Sequence, residues 1–157
     1  MAARPPARVP AAVAVFGGAG LLPAIAAVAG LFVAPAGSPQ QFAWVILIFY
    51  GALIFSFLGG TWWAFAARGE GSPRAEWLLA AVSPSLVSLV VLVMVLAPGT
   101  RPAAAVLLAA GILLSPLVDG MLLSAGLAPA WWMRLRVPLS VGLAGCVALG
   151  AWRAPLG

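Results

Sequence analysis

Five long apolar runs, separated by short breaks rich in Pro, Gly and Arg, limit this chain to one class of fold. A helix needs about 20 apolar residues to cross the hydrocarbon core of a bilayer. Of the 157 residues, 64% are hydrophobic and only 7% are charged, against about 45–50% and about 25% in a soluble domain. Such a chain has too few polar residues to cover a water-facing surface. The runs occupy residues 11–33, 42–67, 77–97, 103–128 and 137–153.

This pattern predicts an all-α, polytopic membrane protein with five transmembrane helices in a single domain over residues 1–157. Two arginines, Arg4 and Arg8, precede the first run, as they would in a secretory signal. The run is longer than the 7–15 residues of a signal's apolar core, so we interpret it as the first span. We expect Pro23 to kink this helix, since neighbouring helices can satisfy the carbonyl that a proline leaves free.

The arginines predict how the helices are oriented. With the N-terminus in the cytoplasm, six of the eight arginines fall on the inner side, as the positive-inside rule requires. We therefore expect a multi-pass protein of the bacterial inner (cytoplasmic) membrane, with the N-terminus inside and the C-terminus outside. The inner set is Arg4, Arg8, Arg68, Arg74, Arg134 and Arg136, and the outer set is Arg101 and Arg153.

Tryptophans cluster near the predicted ends of the spans. Trp44 and Trp152 fall near the outer interface, and a larger group falls near the inner one. Indole rings favour the head-group level, and arginines there extend toward lipid phosphates. The sequence therefore predicts an interfacial lipid anchor on the inner side. Its members are Trp62, Trp63, Trp131, Trp132, Arg134 and Arg136.

Composition argues against most catalytic and nucleic-acid-binding classes. The chain has no histidine, and its single cysteine, Cys146, lies in an apolar run. It therefore lacks the commonest zinc and haem ligand and cannot form an intrachain disulfide. The net charge of +5 is spread over short loops, unlike the clustered basic patch of a nucleic-acid-binding protein. We expect no enzymatic activity, no cofactor, no metal and no nucleic-acid partner.

Small residues recur every four positions in two of the spans. This spacing makes a groove that another helix backbone can approach closely. The pattern favours packing between helices of the same chain, and docking of a partner helix is the alternative. The residues are Ala52, Ser56 and Gly60 in the second span and Gly142, Cys146 and Gly150 in the last.

Asp119 is the one charge well inside a predicted span, about 15 Å from the inner boundary at Pro129. Burying an acid in a bilayer costs about 2.5–3.5 kcal/mol on insertion scales unless it is protonated or paired. Arg134 and Arg136, at the predicted boundary, appear too distant to pair with it. We expect a polar site at mid-membrane that serves transport, or a structural acid, or an ion pair with a neighbouring subunit. The predicted polar residues are Asp119, Ser56, Ser85, Ser88 and Ser115.

Several blocks of the chain together resemble a known family. They are Gly20–Pro23, Tyr50–Gly60 with Trp62, Ser83–Leu86, Asp119, and Pro129–Arg136. They are similar to the uncharacterised membrane proteins called domain of unknown function 3429, a family that includes the mitochondrial transmembrane protein 69. The resemblance covers most of the chain, and it implies a multi-helix inner-membrane protein of bacteria or mitochondria.

These observations favour a non-enzymatic membrane protein that acts by helix association. We expect an accessory or assembly subunit of a larger, energy-transducing membrane complex, with lipids and other transmembrane subunits as its partners. The alternative is a small transporter or channel-like protein that uses the polar site around Asp119. An intramembrane enzyme or a lipid- or quinone-binding protein ranks after both. The surroundings of Asp119, a wet cavity or a protein contact, distinguish the first two.

Overall fold

The regular structure of this chain is helical throughout the residues that can be described. The computed structural model describes residues 8–68 and 74–154. Residues 1–7, 69–73 and 155–157, which include Arg4 of the predicted inner set, lie outside these ranges. Within them, five segments are long and apolar enough to cross a membrane, which confirms the expected fold class. The helices are α1 Ala11–Ala19, α2 Leu22–Val33, α3 Ser38–Ala67, α4 Ala75–Val95, α5 Arg101–Ser124 and α6 Trp132–Trp152.

The first span is broken into two helices, α1 and α2. The break falls at Gly20 and Leu21, with Pro23 in the first turn of α2, so the interruption lies close to the proline that predicted a kink. The hydroxyl of Tyr50, on α3, donates a hydrogen bond to the carbonyl of Gly20. The neighbouring helix thereby satisfies a carbonyl at the break. No residue of α1 is buried, so this half-span lies at the edge of the bundle.

Helix α3 lies at the centre of the bundle and contacts α2, α4, α5 and α6. The buried residues of α3 to α6 fall in rows with a spacing of seven. Seven residues return a side chain to within about 20° of its starting direction, so each row faces one neighbour, as in a left-handed bundle. The rows are Trp44–Gly51–Leu58–Phe65, Ile48–Phe55–Trp62 and Ala52–Gly59–Ala66 in α3, Ala81–Ser88–Val95 and Pro84–Val91 in α4, Ala105–Ile112–Asp119 and Leu108–Ser115–Leu122 in α5, and Arg136–Leu143–Gly150 and Ser140–Val147 in α6.

The small residues predicted in the second span do not form one packing face. Ala52 is buried and Ser56 is half-buried, but Gly60 is exposed, and a Cβ placed on it would meet nothing within 4 Å. Two intervals of four residues rotate the side-chain direction about 80° past its starting point around the helix axis, whereas an interval of seven leaves it about 20° short. The close approach therefore occurs at Gly59, where a Cβ would collide with the carbonyl oxygen of Ala81 in α4.

The small residues predicted in the last span pack within the chain, against two different segments. A Cβ on Gly142 would lie 3.0 Å from Leu21, the residue that precedes α2, and one on Gly150 would lie 2.8 Å from Leu47 of α3. Cys146, between them, is half-buried against the main apolar core. These three positions serve intramolecular packing, which is the interpretation that the spacing favoured.

Two Ser-Pro pairs repair the helices that their prolines interrupt. A proline has no N–H, so it leaves the carbonyl four residues earlier without its helical donor. The hydroxyl of Ser83 donates to the carbonyl of Ala80 at 2.9 Å, four residues before Pro84. In α5, the hydroxyl of Ser115 donates to the carbonyl of Ile112 at 2.7 Å, four residues before Pro116. The second pair also belongs to the buried polar cluster described next.

Candidate functional site

The α5–α6 hairpin brings together the polar residues of the bundle. Helix α5 ends in a Schellman turn, in which Gly126 has a φ of 74° and the N–H of Leu127 donates to the carbonyl of Leu122 at 2.9 Å. A left-handed residue at this position is most easily a glycine. The chain therefore reverses after Ser124, and α6 begins at Trp132. Both helix ends lie about five residues away from the predicted boundaries at 128 and 137.

Asp119 is fully buried and accepts three hydrogen bonds from side chains of its own chain. Its Oδ1 accepts from the indole Nε1 of Trp62 at 2.8 Å and of Trp132 at 2.7 Å. Its Oδ2 accepts from Nε of Arg136 at 3.0 Å, which makes a buried ion pair. The expectation that Asp119 has no charge partner within the chain is therefore wrong.

The guanidinium of Arg136 extends the cluster to two serines. Nη2 of Arg136 donates to the hydroxyl of Ser115 at 3.0 Å, and the hydroxyls of Ser115 and Ser140 lie 3.3 Å apart. Since the Ser115 hydroxyl donates its proton to a backbone carbonyl, it accepts from both of these neighbours. A continuous network thus runs from Trp62, through Asp119 and Arg136, to Ser140. We call these residues, with Trp132 and Ser115, the Asp119 cluster.

The depth of Asp119 in the bundle explains how Arg136 reaches it. Asp119 lies five residues before the end of α5, and Arg136 lies four residues after the start of α6. At 1.5 Å per residue these positions are about 7.5 Å and about 6 Å inside the helix ends. The two side chains are therefore at the same level. The predicted distance of about 15 Å came from counting the whole hairpin as helix.

Only one of the four predicted serines joins the Asp119 cluster, namely Ser115. The other three lie between α3 and α4. The hydroxyls of Ser56 and Ser85 are 2.9 Å apart, and the hydroxyl of Ser88 donates to the carbonyl of Ala52 at 2.9 Å. These serines form a separate contact between two helices, and the predicted five-residue polar site is corrected to two sites.

Half of the residues that were predicted to form the lipid anchor belong instead to the Asp119 cluster. Trp62 and Arg136 are buried, and Trp132 directs its indole N–H to Asp119. The three remaining members, Trp63, Trp131 and Arg134, are exposed or half-buried. Near the other end of the bundle, Trp152 is exposed as expected, but Trp44 is fully buried. Trp44 is therefore a core residue and not an interfacial one.

The sequence contains a signal for the parts of the cluster that our predictions missed. Asp119 continues the row of Ala105 and Ile112 at seven-residue spacing, and Arg136 begins the row of Leu143 and Gly150. Rows of this spacing face the bundle interior. Extending them through the charged residues would have placed both Asp119 and Arg136 in the core.

A cleft of about 240 Å³ adjoins the cluster on its α1 side. It lies between α1, α3 and α6, with Ile112 of α5 among its lining residues, and most of the lining is apolar. Arg136 and Ser140 reach it from the cluster, while Phe16 and Phe57 are lining residues exposed at the bundle surface. Asp119 itself does not line the cleft.

The helices α1 to α6 also match a family model. That model, described as a protein of unknown function (DUF3429), covers residues 9–152. The chain belongs to the DUF3429 family. The resemblance drawn from the sequence blocks is thereby confirmed, and the matched region of this DUF3429 protein includes the complete Asp119 cluster. No curated protein and no solved structure matches the chain.

The chemistry of this DUF3429 protein must therefore be argued from its residues. In the described parts of the chain, no three His, Cys, Asp or Glu side chains lie close enough to hold a metal ion. The carboxyl group of Asp119 is occupied by three donors, and no buried side-chain nitrogen or oxygen in these parts lacks a partner. Asp119 thus makes protein contacts, and the cluster residues that line the cleft are Trp132, Arg136 and Ser140.

Proposed function

We propose that this protein is a non-enzymatic accessory or assembly subunit of a larger complex in an energy-transducing membrane, and that it acts by helix association. The observation that carries the proposal is an outward-facing groove between α5 and α6, which we call the α5–α6 groove. It has a volume of about 500 Å³. Most of its lining residues are alanine or glycine: Ala109, Ala110, Ala144, Gly145, Ala148 and Ala151.

The spacing of the lining residues suits a third helix. In α5 the groove residues Val106, Ala109, Ala110 and Leu113 follow at intervals of three, one and three, which is one helix face. A Cβ on Gly145, in α6, would meet no atom of the described residues within 4 Å, so the space above Gly145 is open to a partner. In lipid, close backbone packing replaces the hydrophobic effect as the force that joins helices.

The Asp119 cluster supports association over transport, which is the alternative function. Asp119 is fully buried and paired with Arg136, so it does not present a free acid to a water-filled path. It also needs no arginine from a neighbouring subunit. A docking partner would therefore contact the apolar α5–α6 groove and would leave the ion pair undisturbed.

A pair of matched glycine substitutions tests the proposal. Gly145→Leu fills the α5–α6 groove, whereas Gly60→Leu adds the same side chain to an exposed position on α3. Neither Cβ meets another atom within 4 Å, and both changes raise helix propensity by about 0.8–1 kcal/mol. The folded chain should tolerate both equally.

The measurement is purification of the tagged chain in mild detergent, with mass spectrometry of the proteins that accompany it. We expect a stoichiometric membrane complex with the wild type and with Gly60→Leu, and loss of that complex with Gly145→Leu. Equal thermal unfolding midpoints for the two variants would show that folding is not the cause. A clean monomer or homo-oligomer from the wild type would refute the accessory role.

We further propose that the protein lies in the bacterial inner membrane with its N-terminus inside. This orientation rests on the arginine distribution, and it places the Asp119 cluster toward the cytoplasm. Trp63, Trp131 and Arg134 would then contact head groups of the inner leaflet. A phosphatase reporter that is active only outside should show activity when fused after Gly157, and a reporter active only inside should not. The reverse pattern would invert the proposed orientation.

A further inference from the structure

The cleft beside the Asp119 cluster joins apolar walls to a buried charged residue, Arg136. Along α6 its lining runs from Trp132 to Leu143, a length of about 16 Å. On the opposite side, Phe16 and Gly17 of α1 line it. A Cβ on Gly17 would lie 3.2 Å from Leu135 and 3.3 Å from Leu139, so α1 packs closely against α6 there.

Arg136 lines this cleft and keeps one nitrogen outside the hydrogen bonds of the cluster. Its Nε and Nη2 bond to Asp119 and Ser115, but Nη1 makes no hydrogen bond within the described residues. Since no fully enclosed side-chain nitrogen there lacks a partner, Nη1 keeps accessible surface, and the cleft is the space that Arg136 lines. Arg136 as a whole is only 5% exposed. A guanidinium fixed in this way can donate a further hydrogen bond from Nη1 to an acceptor.

We infer that the cleft binds the carbonyl-bearing head of an uncharged amphipathic molecule, with Nη1 of Arg136 donating a hydrogen bond to the carbonyl oxygen. Acylglycerol esters and quinones share this chemistry, and both dissolve in the bilayer from which the cleft opens. The inference concerns a small-molecule site and is independent of the proposed docking of a partner helix in the α5–α6 groove.

The charge balance of the cluster selects an uncharged ligand. Arg136 and Asp119 neutralise each other at 3.0 Å, so a phosphate or carboxylate in the cleft would be a third charge without a counter-charge. A charge buried without a partner costs several kcal/mol in a protein interior. A carbonyl oxygen, in contrast, accepts a proton from Nη1 and adds no net charge.

The size of the cleft limits how much of the ligand it holds. Its volume of about 240 Å³ is below the range of about 300–1,000 Å³ that encloses a drug-sized molecule. A head group and the first part of a chain fit, and the rest of the chain extends into lipid. The exposed side chains of Phe16 and Phe57 provide an apolar surface at the opening for that chain.

Ligand binding can be tested with the purified full chain in detergent. We would titrate decylubiquinone, dioctanoylglycerol, phosphatidylglycerol and undecane and record the thermal unfolding midpoint, because a ligand that binds the folded state raises it. We expect a saturable rise with decylubiquinone or with dioctanoylglycerol, and the one that acts identifies the quinone or the ester as the source. A rise with undecane equal to that of the carbonyl probes, a rise with phosphatidylglycerol alone, or no rise at all would overturn the inference.

Two neighbouring residues on α3 provide a matched pair of variants. Ile54 lines the cleft, whereas Leu53 is 66% exposed and does not. Ile54→Trp puts a larger side chain at the cleft wall and should weaken binding of the active probe by about tenfold or more, which corresponds to about 1.4 kcal/mol. Leu53→Trp should leave it unchanged. Equal affinities in the two variants would show that the probe binds elsewhere.

Arg136→Lys tests the donor itself. A lysine can keep the charge opposite Asp119 but lacks the second edge of the guanidinium that faces the cleft. We expect this variant to lose the response to the carbonyl probe. If it does not fold, the Ile54→Trp and Leu53→Trp pair still decides the question, because neither residue belongs to the Asp119 cluster.

Discussion

The two ends of the bundle use the same residue types, tryptophan and arginine, in different ways. At one end, Trp62 and Arg136 donate to the buried carboxyl group of Asp119. At the other end, Trp44 donates to the backbone carbonyl of Gly150 at 2.9 Å, and the guanidinium of Arg101 lies 6.0 Å from the centre of the Trp44 ring. One end is therefore held by a side-chain ion pair, and the other by the capping of helix ends.

This difference shows which end of the bundle depends for its stability on two matched charges. Gly150 lies in the last turn of α6, whose final carbonyls have no helical partner, and Arg101 likewise donates to the carbonyl of Val95, the last residue of α4, at 3.3 Å. Every helix has such free carbonyl groups at its C-terminal end. A substitution that removes Trp44 or Arg101 as a donor therefore costs one hydrogen bond and leaves no charge unpaired. At the first end, losing either Asp119 or Arg136 leaves an unpaired charge in the interior.

The largest expected effect comes from breaking the ion pair. Arg136→Met and Asp119→Leu, each made alone, should lower the free energy of unfolding by about 3–5 kcal/mol, because each leaves the other charge buried without its partner. The double variant should recover most of this loss, since an apolar pair of similar volume is often as stable as a buried ion pair. Reversible thermal or denaturant unfolding in detergent measures all three.

The double variant is the decisive one. If it is as unstable as the single variants, the ion pair supports the fold through hydrogen bonds to Trp62, Trp132 and Ser115 rather than through charge compensation. If the single variants are as stable as the wild type, the distinction between the two ends of the bundle fails.

The fold class was predictable from the sequence, but the partner of Asp119 was not predicted. Long apolar runs with few charges predict membrane-spanning helices, because a helix forms all of its backbone hydrogen bonds within itself and needs no water. The hairpin was harder, because Gly126 with its φ of 74° ends α5 inside a segment that remains apolar to residue 128. The apolar run shows where the span lies but not where the chain turns. The predicted helix ends differed from the observed ones by about five residues at each side of the turn, and this difference decided whether Arg136 was assigned to the core or to the interface.

The packing glycines show a similar limit. A spacing of four indicated Gly60, whereas the bundle uses the seven-residue rows that bring Gly59 against Ala81. Both glycines occur side by side in the sequence, and only the direction of the neighbouring helix distinguishes them. Local spacing therefore predicted which helix carries a close contact but not which of the two residues makes it.

We expect an effect of intermediate size from removing the indole donors, with a larger loss of stability for Trp62 than for Trp44. Trp62→Phe removes a hydrogen bond to a charged group, worth about 1.5–3 kcal/mol. Trp44→Phe removes one to a neutral carbonyl, and polar contacts between membrane helices average about 0.6 kcal/mol. Since both rings are buried and both changes remove similar apolar area, the difference between the two losses reports the acceptor. Equal losses in the free energy of unfolding would mean that packing, and not the hydrogen bond, sets both values.

The smallest effect should follow from the arginine at the capped end. Arg101→Gln removes the bond to Val95 and the contact with the Trp44 ring, and such cation–π contacts contribute about 0.5–1 kcal/mol at exposed sites. Arg134→Gln is the control, because Arg134 is exposed and makes no side-chain hydrogen bond within the described residues. We expect Arg101→Gln to lower the unfolding midpoint slightly and Arg134→Gln to leave it unchanged. A loss as large as that of Arg136→Met would contradict the comparison, because Arg101 has no carboxylate partner among the described residues.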